Sequence, residues 1–458
     1  MAIGIFTRQT LPDGRMAQHD TPPAVARELA RHAPRQIDAI LDPAVGRGAL
    51  IDPLLSRLQA HEAHVVCVDL DRGAVDEVQR RFRSEHGLVI SGVARDFLAW
   101  SSPQGIRSIR NRFDCVILNP PFAGKKDELR GIDVGQELPG LEGRLRSVPL
   151  EAAFLLRSIR VLRPGGRLLA VLPCSIVMSE SLQWLRDCLL RTGAIRYVHE
   201  LPPRTFPNVE SRMYLFVFDK GKTGKGTVLC NHDLIRPERL TVEFRATDRG
   251  FRLDFAFNRA NRELQKLVRL SRLGWRSLGD LATVIRGSVD SPHGPRGCVH
   301  TCDFRNGFWR IAGRHRPSTA ARSDGRVRWG DILAKRVGRD CCQSFGRAIG
   351  LQGVPCSDCI LLLRPRSARD STRVLFCIRC LLGMEWAKSL VEKGTGASYI
   401  TANTLSQLVV PALIWKVYPS AFREFRSAVA SRSQRGMSKA VAEVCRQLVR
   451  AGKLLTVR

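Results

Sequence analysis

The stretch Phe113-Asp114-Cys115-Val116-Ile117-Leu118-Asn119-Pro120-Pro121-Phe122 decides how the first half of the chain folds. An apolar run of this length that ends at two prolines is typical of a buried parallel strand followed by a rigid loop. Open α/β sheets bind ligands at the carboxyl ends of such strands. There, the Asn119 amide oxygen and the Pro120 carbonyl can accept hydrogen bonds from one exocyclic amino group, while the Phe122 ring stacks on its heterocycle. These residues favour a site that methylates a planar amine.

Strands and helices alternate along the sequence around this stretch. The patterns predict strands at 37–41, 64–68, 88–90, 113–118, 167–172, 195–200 and 213–218, and helices at 24–32, 49–58, 74–82, 150–161 and 182–190. Such alternation is typical of an α/β protein with a doubly wound sheet. The pattern breaks near 221–226, so we expect the first domain to end soon after that segment.

The charge of the chain points to a polyanionic partner. Its 458 residues carry 73 Lys and Arg against 43 Asp and Glu, a net charge of +30, and the excess is spread along the whole sequence. Nucleic acid explains this distribution better than a merely solvated surface does. A chain of this length is long enough for about two or three domains.

The N-terminal residues lack the apolar core of a signal peptide, and no apolar run reaches transmembrane length. We therefore expect a cytoplasmic protein without a membrane contact, whose 14 cysteines are reduced thiols. The pairs Cys356/Cys359 and Cys377/Cys380 have the spacing of a zinc site. The alternative is that they pack as small apolar side chains, and on that interpretation we expect no bound metal.

Three further motifs follow predicted strands. In Asp42-Pro43-Ala44-Val45-Gly46-Arg47-Gly48 the glycines let a ligand approach the backbone, although a plain strand-helix turn has the same sequence. Asp69 can accept both ribose hydroxyls of an adenosine ligand, and Asp71 can cap the next helix. Asp96 can accept from an adenine amino group while Phe97 packs on the ring, and a loop acid beside a core phenylalanine is an equal alternative.

Thr21-Pro22-Pro23 precedes an amphipathic segment, 24–32. Thr21 suits the N-cap of a helix and Pro22 suits its first position, so capping alone can explain both residues. The helix N-terminus could also receive the carboxylate of a ligand that carries an amino acid.

The order and spacing of these motifs resemble the gamma class of DNA adenine-N6 methyltransferases, over residues 18–220. The resemblance implies a Rossmann-like sheet that binds S-adenosyl-L-methionine through Thr21, Asp42, Gly46, Gly48, Asp69, Asp96 and Phe97. It also implies that Asn119 and Pro120 bind the target amino group and that Phe122 stacks on a flipped adenine. Phe206 is the candidate for a second stacking ring, with a loop phenylalanine that closes the core as the alternative. Leu50 departs from the family, which often has Phe there.

The second half, 275–412, resembles the target-recognition domains of type I restriction specificity subunits. The resemblance rests on Trp329-Gly330-Asp331-Ile332-Leu333 and on the segments 278–287, 358–365 and 394–411. It implies an α+β domain that binds DNA. We therefore expect a catalytic domain at 1–240, a connector at 241–274, a target-recognition domain at 275–415 and a helical segment at 416–458.

These expectations together describe a monomeric, site-specific methyltransferase that acts on adenine in double-stranded DNA, as in restriction-modification systems. A separate restriction endonuclease would supply cleavage. An RNA guanine-N2 methyltransferase is the first alternative, because Asn-Pro-Pro-Phe occurs in that class too. A DNA-binding specificity subunit with a decayed catalytic domain is the second. The glycine-rich, charged segment 123–146 is either a mobile loop beside the site or an ordinary solvated insertion.

Overall fold

The computed structural model describes residues 20–60, 62–86, 88–102, 109–110, 112–121, 128–133, 145–207, 209, 211–224, 226–245, 248, 251–270, 272–290, 297–311, 325–394 and 398–454. The chain forms two compact units, Met1–Asn258 and Arg259–Arg458. The expected connector at 241–274 contains the point of division. The four domain limits given above remain predictions.

Nine strands form the sheet of the first unit. They are β1 (Ala39–Asp42), β2 (His64–Asp69), β3 (Val89–Ala94), β4 (Phe113–Leu118), β7 (Leu162–Pro173), β8 (Gly193–Glu200), β9 (Met213–Lys220), β10 (Thr227–Cys230) and β11 (Arg239–Val242). Their order is β11-β10-β8-β9-β7-β4-β1-β2-β3. The run from β7 to β3 is parallel, whereas β9 is antiparallel to both of its neighbours. The expected α/β sheet is confirmed.

Helices cover both faces of this sheet. They are α1 (Pro23–Ala30), α2 (Leu55–Ala60), α3 (Arg72–His86), α4 (Phe97–Trp100), α5 (Leu150–Val161), α6 (Cys174–Met178) and α7 (Gln183–Thr192). Apolar residues of α5, α6 and α7 pack on one face, and those of α1, α2 and α3 pack on the other. The central strands are therefore buried on both sides, as near-continuous apolar runs require.

Two segments differ from the sequence predictions or extend them. The helix predicted at 49–58 is a 3₁₀ turn, Asp52–Leu54, followed by α2, because Pro53 has no backbone N–H to continue a helix from the preceding turn. In 123–146, the described residues form strand β5 (Glu128–Asp133) and the start of β6 (Leu145–Pro149), which pair antiparallel. The rest of the predicted mobile loop, 123–127 and 134–144, lies outside the described residues.

The second unit combines helices with short antiparallel sheets. Its helices are α9 (Leu278–Leu281), α10 (Ser371–Leu382), α11 (Ala402–Gln407), α12 (Ile414–Val417), α13 (Pro419–Ala430) and α14 (Gln434–Leu454), after α8 (Phe255–Leu270) that leads in from the first unit. Its strands are β12 (Trp275–Ser277), β13 (Ala282–Arg286), β14 (Phe304–Arg305), β15 (Phe308–Trp309), β16 (Ile332–Lys335), β17 (Gly346–Arg347), β18 (Ile360–Pro365) and β19 (Val409–Pro411). The main sheet has the order β13-β18-β16-β17. Helix α10 is buried, and α13 and α14 pack against it. Across the described part of the chain, no helix is long and apolar enough to cross a bilayer.

Candidate active site

A cleft lies at the carboxyl ends of β1, β2, β3 and β4, and its empty space of about 950 Å³ includes volume open to solvent. From β1 the chain continues outward to β2 and β3, and it then returns to place β4 on the other side of β1. The strand order therefore reverses between β1 and β4, which is where open α/β sheets form a binding crevice.

The structure brings most of the predicted site residues to this cleft. Its lining includes Thr21, Asp42, Gly46, Asp69, Asp96, Phe97, Asn119 and Pro120. Gly48 lies in the same turn as Gly46 but is absent from the lining. Phe206 is only 2% exposed and packs among apolar residues on the face of the sheet covered by α1, α2 and α3. Phe122 lies outside the described residues. The stacking roles of both rings remain predictions.

The two glycines of the first turn have different surroundings. Both have positive φ values, +48° at Gly46 and +78° at Gly48. A Cβ atom on Gly48 would lie 2.9 Å from the Phe82 ring, whereas a Cβ atom on Gly46 would meet no heavy atom within 4 Å. Gly48 is thus required for packing against α3, while Gly46 leaves open space in the cleft.

Asp42 is a buried carboxylate at the end of β1, only 1% exposed. Its Oδ1 accepts a hydrogen bond from the Ala44 N–H at 3.1 Å, while its buried Oδ2 has no hydrogen-bond partner among the described residues. Burial raises its pKa from 3.8 to about 8. A buried acceptor without a partner is costly, so this atom fits a ligand that brings a hydrogen-bond donor, above all a cationic one.

Asp69 lies at the cleft, whereas Asp71 caps a helix. The Asp69 Oδ2 accepts from the Gly46 N–H at 2.9 Å, and its Oδ1 accepts from the Asp71 N–H at 3.0 Å. These bonds hold the Asp69 carboxylate at the cleft in one orientation, with lone pairs left on both oxygens. Asp71 accepts from the Gly73 and Ala74 N–H groups at 2.8 and 3.3 Å, so it caps α3.

Asp96 and Phe97 lie where β3 leads into α4. Asp96 is the N-cap of α4, because its Oδ1 accepts from the Leu98 N–H at 2.8 Å. Phe97 is 2% exposed, and its ring centre lies 5.2 Å from that of Phe154. Both residues also line the cleft, so capping and core packing fix two groups that a ligand in the cleft would contact.

Thr21 and Asn119 form a hydrogen bond that links two distant parts of the sequence. The Asn119 Nδ2 donates to the Thr21 Oγ1 at 3.0 Å. Pro22, and not Thr21, occupies the N-cap position of α1, and the helix has no side-chain cap. The alternative in which Thr21 only caps α1 is therefore wrong. Sequence inspection gave no sign of this contact, because 98 positions separate the two residues.

The comparisons with known proteins concern this unit. A family model for N-6 DNA Methylase matches residues 9–235. These residues belong to the N-6 DNA methylase family.

Two curated methyltransferases are similar to the same region. A type II methyltransferase of Thermus thermophilus is 29% identical over 226 residues, which are 46% of this chain and 46% of that protein. The type II methyltransferase M.AccI of Acinetobacter calcoaceticus is 23% identical over 228 residues, 48% of this chain and 38% of that protein. The matched region thus spans less than half the length of either relative.

Solved structures of restriction-modification proteins also resemble the chain. The methyltransferase subunit of a type I system from Streptococcus thermophilus shares 19% identity over 46% of this chain and 47% of its own, with a TM-score of 0.36. The type IIG restriction endonuclease BpuSI shares 12% identity over 94% of this chain and 66% of its own, with a TM-score of 0.43.

The cysteines considered for zinc lie in different surroundings. Cys377 and Cys380 are buried within α10, whereas Cys356 packs in a separate apolar cluster with Val299 and Leu362. Among the described residues, a different group has donor atoms within 4.8 Å of one another, namely Cys341, Cys342 and Glu392. Sequence spacing alone would not have selected these three. The expectation that the protein holds no metal remains a prediction.

The two glycines of the turn allow a test of which one is needed for packing and which one leaves space for a ligand. We expect Gly48→Ala to destabilise the fold by about 2 kcal/mol or more, because the methyl group collides with Phe82 and the φ value is unfavourable. Gly46→Ala should cost roughly 1 kcal/mol for its φ value, yet weaken binding of S-adenosyl-L-methionine. Thermal unfolding and calorimetric titration measure the two effects. Similar stability losses in both variants would contradict the assignment.

Asp42 yields a test that depends on pH. Its folded-state pKa, about 8, lies above its unfolded value, so the folded chain retains a proton that the unfolded chain loses. The free energy of unfolding without ligand should therefore fall as pH rises between about 4 and 8. Asp42→Asn should remove this part of the dependence and stabilise the ligand-free protein by roughly 1–3 kcal/mol at pH 8. Denaturant unfolding across that range measures it, and parallel pH curves for the two proteins would refute the argument.

Proposed function

We propose that the chain is a site-specific methyltransferase that moves a methyl group from S-adenosyl-L-methionine to the N6 amino group of adenine in double-stranded DNA. The observation that carries the proposal is the position of Asn119 and Pro120 at one cleft with Asp42, Asp69 and Asp96. The membership of residues 9–235 in the N-6 DNA methylase family supports the same reaction.

The cleft suits the cofactor on its chemistry. S-adenosyl-L-methionine supplies an electrophilic methyl group on a sulfonium centre. The buried Asp42 Oδ2 can accept from the ammonium of its amino-acid part, and Asp69 can accept from ribose hydroxyls. Asp96 and Phe97 can hold the adenine of the cofactor by a hydrogen bond and by apolar contact. Leu50, which replaces an aromatic residue common in the family, lines the same cleft and is 4% exposed.

The reaction itself depends on two acceptors. An exocyclic amino group is a weak nucleophile because its lone pair is delocalised into the ring. The Asn119 Oδ1 and the Pro120 carbonyl can each accept a hydrogen bond from one of its N–H groups, which favours a more tetrahedral nitrogen with its lone pair aimed at the methyl group. The nitrogen would bond to the methyl carbon as the carbon–sulfur bond breaks, which leaves S-adenosyl-L-homocysteine, and the surplus N6 proton would pass to solvent. Orientation and electrostatics then supply most of the rate. A base inside a duplex cannot reach the cleft, so it must be flipped out of the helix.

Thr21 would act on this step through Asn119. Its hydroxyl accepts a hydrogen bond from Nδ2, and this identifies the nitrogen end of the amide. In this proposal the oxygen end accepts a hydrogen bond from the target amine. Loss of the hydroxyl would let the amide rotate by half a turn and offer a donor where the reaction needs an acceptor. Thr21 is thus a positioning residue in this proposal.

DNA is the favoured polymer because of the charge of the chain and the family of its first unit. In this proposal residues 275–415 recognise the target, the enzyme acts as a cytoplasmic monomer, and a separate endonuclease completes a restriction-modification system. The RNA guanine-N2 alternative uses the same Asn-Pro-Pro-Phe chemistry, but no observation on the molecule favours it.

The first test of the function is the fate of the methyl group. Purified protein incubated with labelled S-adenosyl-L-methionine should label duplex DNA on adenine N6, and Asn119→Ala should lower the rate by about 100-fold or more because one acceptor is lost. Cofactor binding by the variant, measured by calorimetry, serves as the control for folding. Labelling of RNA alone would overturn the choice of substrate, and equal rates for both proteins would overturn the mechanism.

The second test concerns Thr21. We expect Thr21→Val to lower kcat about tenfold with little change in the KM for the cofactor, because a single hydrogen bond to Asn119 is removed. Thr21→Ser keeps the hydroxyl and should restore most of the rate. Steady-state kinetics with DNA in excess separate the two constants. A loss confined to the KM for S-adenosyl-L-methionine would instead make Thr21 a cofactor-binding residue.

A further inference from the structure

Trp329 is an exposed aromatic side chain on a well-supported turn of the second unit. Its side chain is 66% exposed, although Val327 and Asp331, on either side of the turn, are buried. The Arg328 N–H donates to the Asp331 Oδ2 at 2.8 Å, and the Asp331 N–H donates to the Arg328 carbonyl at 3.1 Å. Asp331 is 1% exposed. The backbone of the turn is therefore fixed by hydrogen bonds, while the Trp329 side chain is exposed to solvent.

The support of this turn extends into the sheet. Arg364 donates to both oxygens of Asp331, at 3.1 and 3.0 Å, and also to the Arg326 carbonyl at 2.9 Å. Gly330 has a φ of +90°, and a Cβ atom there would lie 2.7 Å from the Ala368 side chain. The backbone of the turn thus packs directly on the segment that follows β18.

Sheet register brings further cations to the same place. In the antiparallel pair of β16 and β18, Ile332 is opposite Leu363, so the start of β16 and the end of β18 lie at one end of the sheet. The residues after β18 include the exposed Arg366 and Arg369. We call the exposed side chains of Arg328, Trp329, Arg366 and Arg369 the Trp329 surface.

The charge of this surface is largely uncompensated. Arg328, Arg366 and Arg369 form no ion pair within the described residues, whereas the nearby carboxylates of Asp331 and Asp370 pair with Arg364 and Arg373. Asp280 in α9 is an exposed acid near this end of the sheet, two residues before Ala282, which pairs with Pro365. Three exposed arginines at the end of the sheet that carries Trp329 match a polyanion with flat rings or sugars, as nucleic acids have.

We propose that the Trp329 surface is a contact site for double-stranded DNA, with the arginines on phosphates and the indole against a sugar or base edge. The inference rests on the proposed function for its choice of polymer. Beyond that function, the inference identifies which part of the second unit would contact the duplex. Phosphate contacts set affinity and its salt dependence, while a rigid aromatic contact adds affinity that salt does not screen.

The experiment compares full-length variants in binding a fluorescein-labelled duplex of mixed sequence, measured by anisotropy over a range of salt concentrations. Trp329→Ala should bind about tenfold more weakly at every salt concentration, with an unchanged slope. The triple variant Arg328→Ala/Arg366→Ala/Arg369→Ala should reduce the slope of log affinity against log salt by about three. Both changes are at exposed side chains, and thermal unfolding checks that the fold is retained.

A matched control removes the same charge elsewhere in the unit. Arg426, Arg435 and Lys439 are exposed on α13 and α14, and they too form no ion pair among the described residues. Their triple alanine variant should keep most of the wild-type affinity and slope. Equal losses in both triple variants would assign the effect to net charge alone and overturn the proposal, as would wild-type affinity in Trp329→Ala.

Failure of this inference is distinguishable from failure of the proposed function. Asn119→Ala should bind the duplex normally and fail in methyl transfer, whereas Trp329→Ala should lose affinity and retain its rate at saturating DNA. Normal duplex binding by the Trp329 and arginine variants, together with methyl transfer by the wild type, would overturn the surface and leave the function intact. Absence of duplex binding by the wild type would overturn both.

Discussion

The parallel pairing of β1 with β4 is the constraint on which the candidate site depends. Leu41 lies opposite Val116, so the end of β1 and the end of β4 reach the same edge of the sheet. Leu41 and Val116 face one apolar core, and Ile40 and Cys115 face the other. A slip of one residue would exchange these faces and leave both cores mispacked. Two cores together therefore fix where Asp42 and Asn119 project, and β2 places Asp69 beside them through the pairing of Asp42 with Cys67.

The polar groups of the site serve the fold and the cleft together. Asp69 holds the glycine turn through the Gly46 N–H, and Asp96 holds the first turn of α4. The choice between a structural and a ligand-binding role, which the sequence left open for these acids, is thus not exclusive. Backbone hydrogen bonds fix the orientation of each carboxylate before a ligand arrives, which reduces the cost of ordering the site. Asp42 differs, because its buried Oδ2 has no hydrogen-bond partner among the described residues.

Charge is organised differently in the second unit. Several acids there form ion pairs within the unit, as Asp331 does with Arg364. Arginines near them are exposed and form no ion pair among the described residues. Buried carboxylates that are neutralised by one arginine let a surface of net positive charge form around a rigid turn. In the proposed complex, such a surface would supply the charge that a duplex partner requires, and the fixed backbone of the turn would reduce the entropy lost on binding.

The sequence by itself determined β1 to β4 and β7 to β9, the glycine turn and the loop at Asn119-Pro120, because apolar runs, prolines and glycines act on the backbone locally. It did not indicate β10 and β11. It also placed Asp42, Asp69, Asp96 and Asn119 at strand ends. Only the tertiary structure decided which of these ends meet, since strand order depends on burial summed over the whole sheet. It joined Thr21 to Asn119 and enclosed Phe206 in a core. It also separated Cys356 from Cys377, because side-chain spacing along a chain says nothing of which faces pack together.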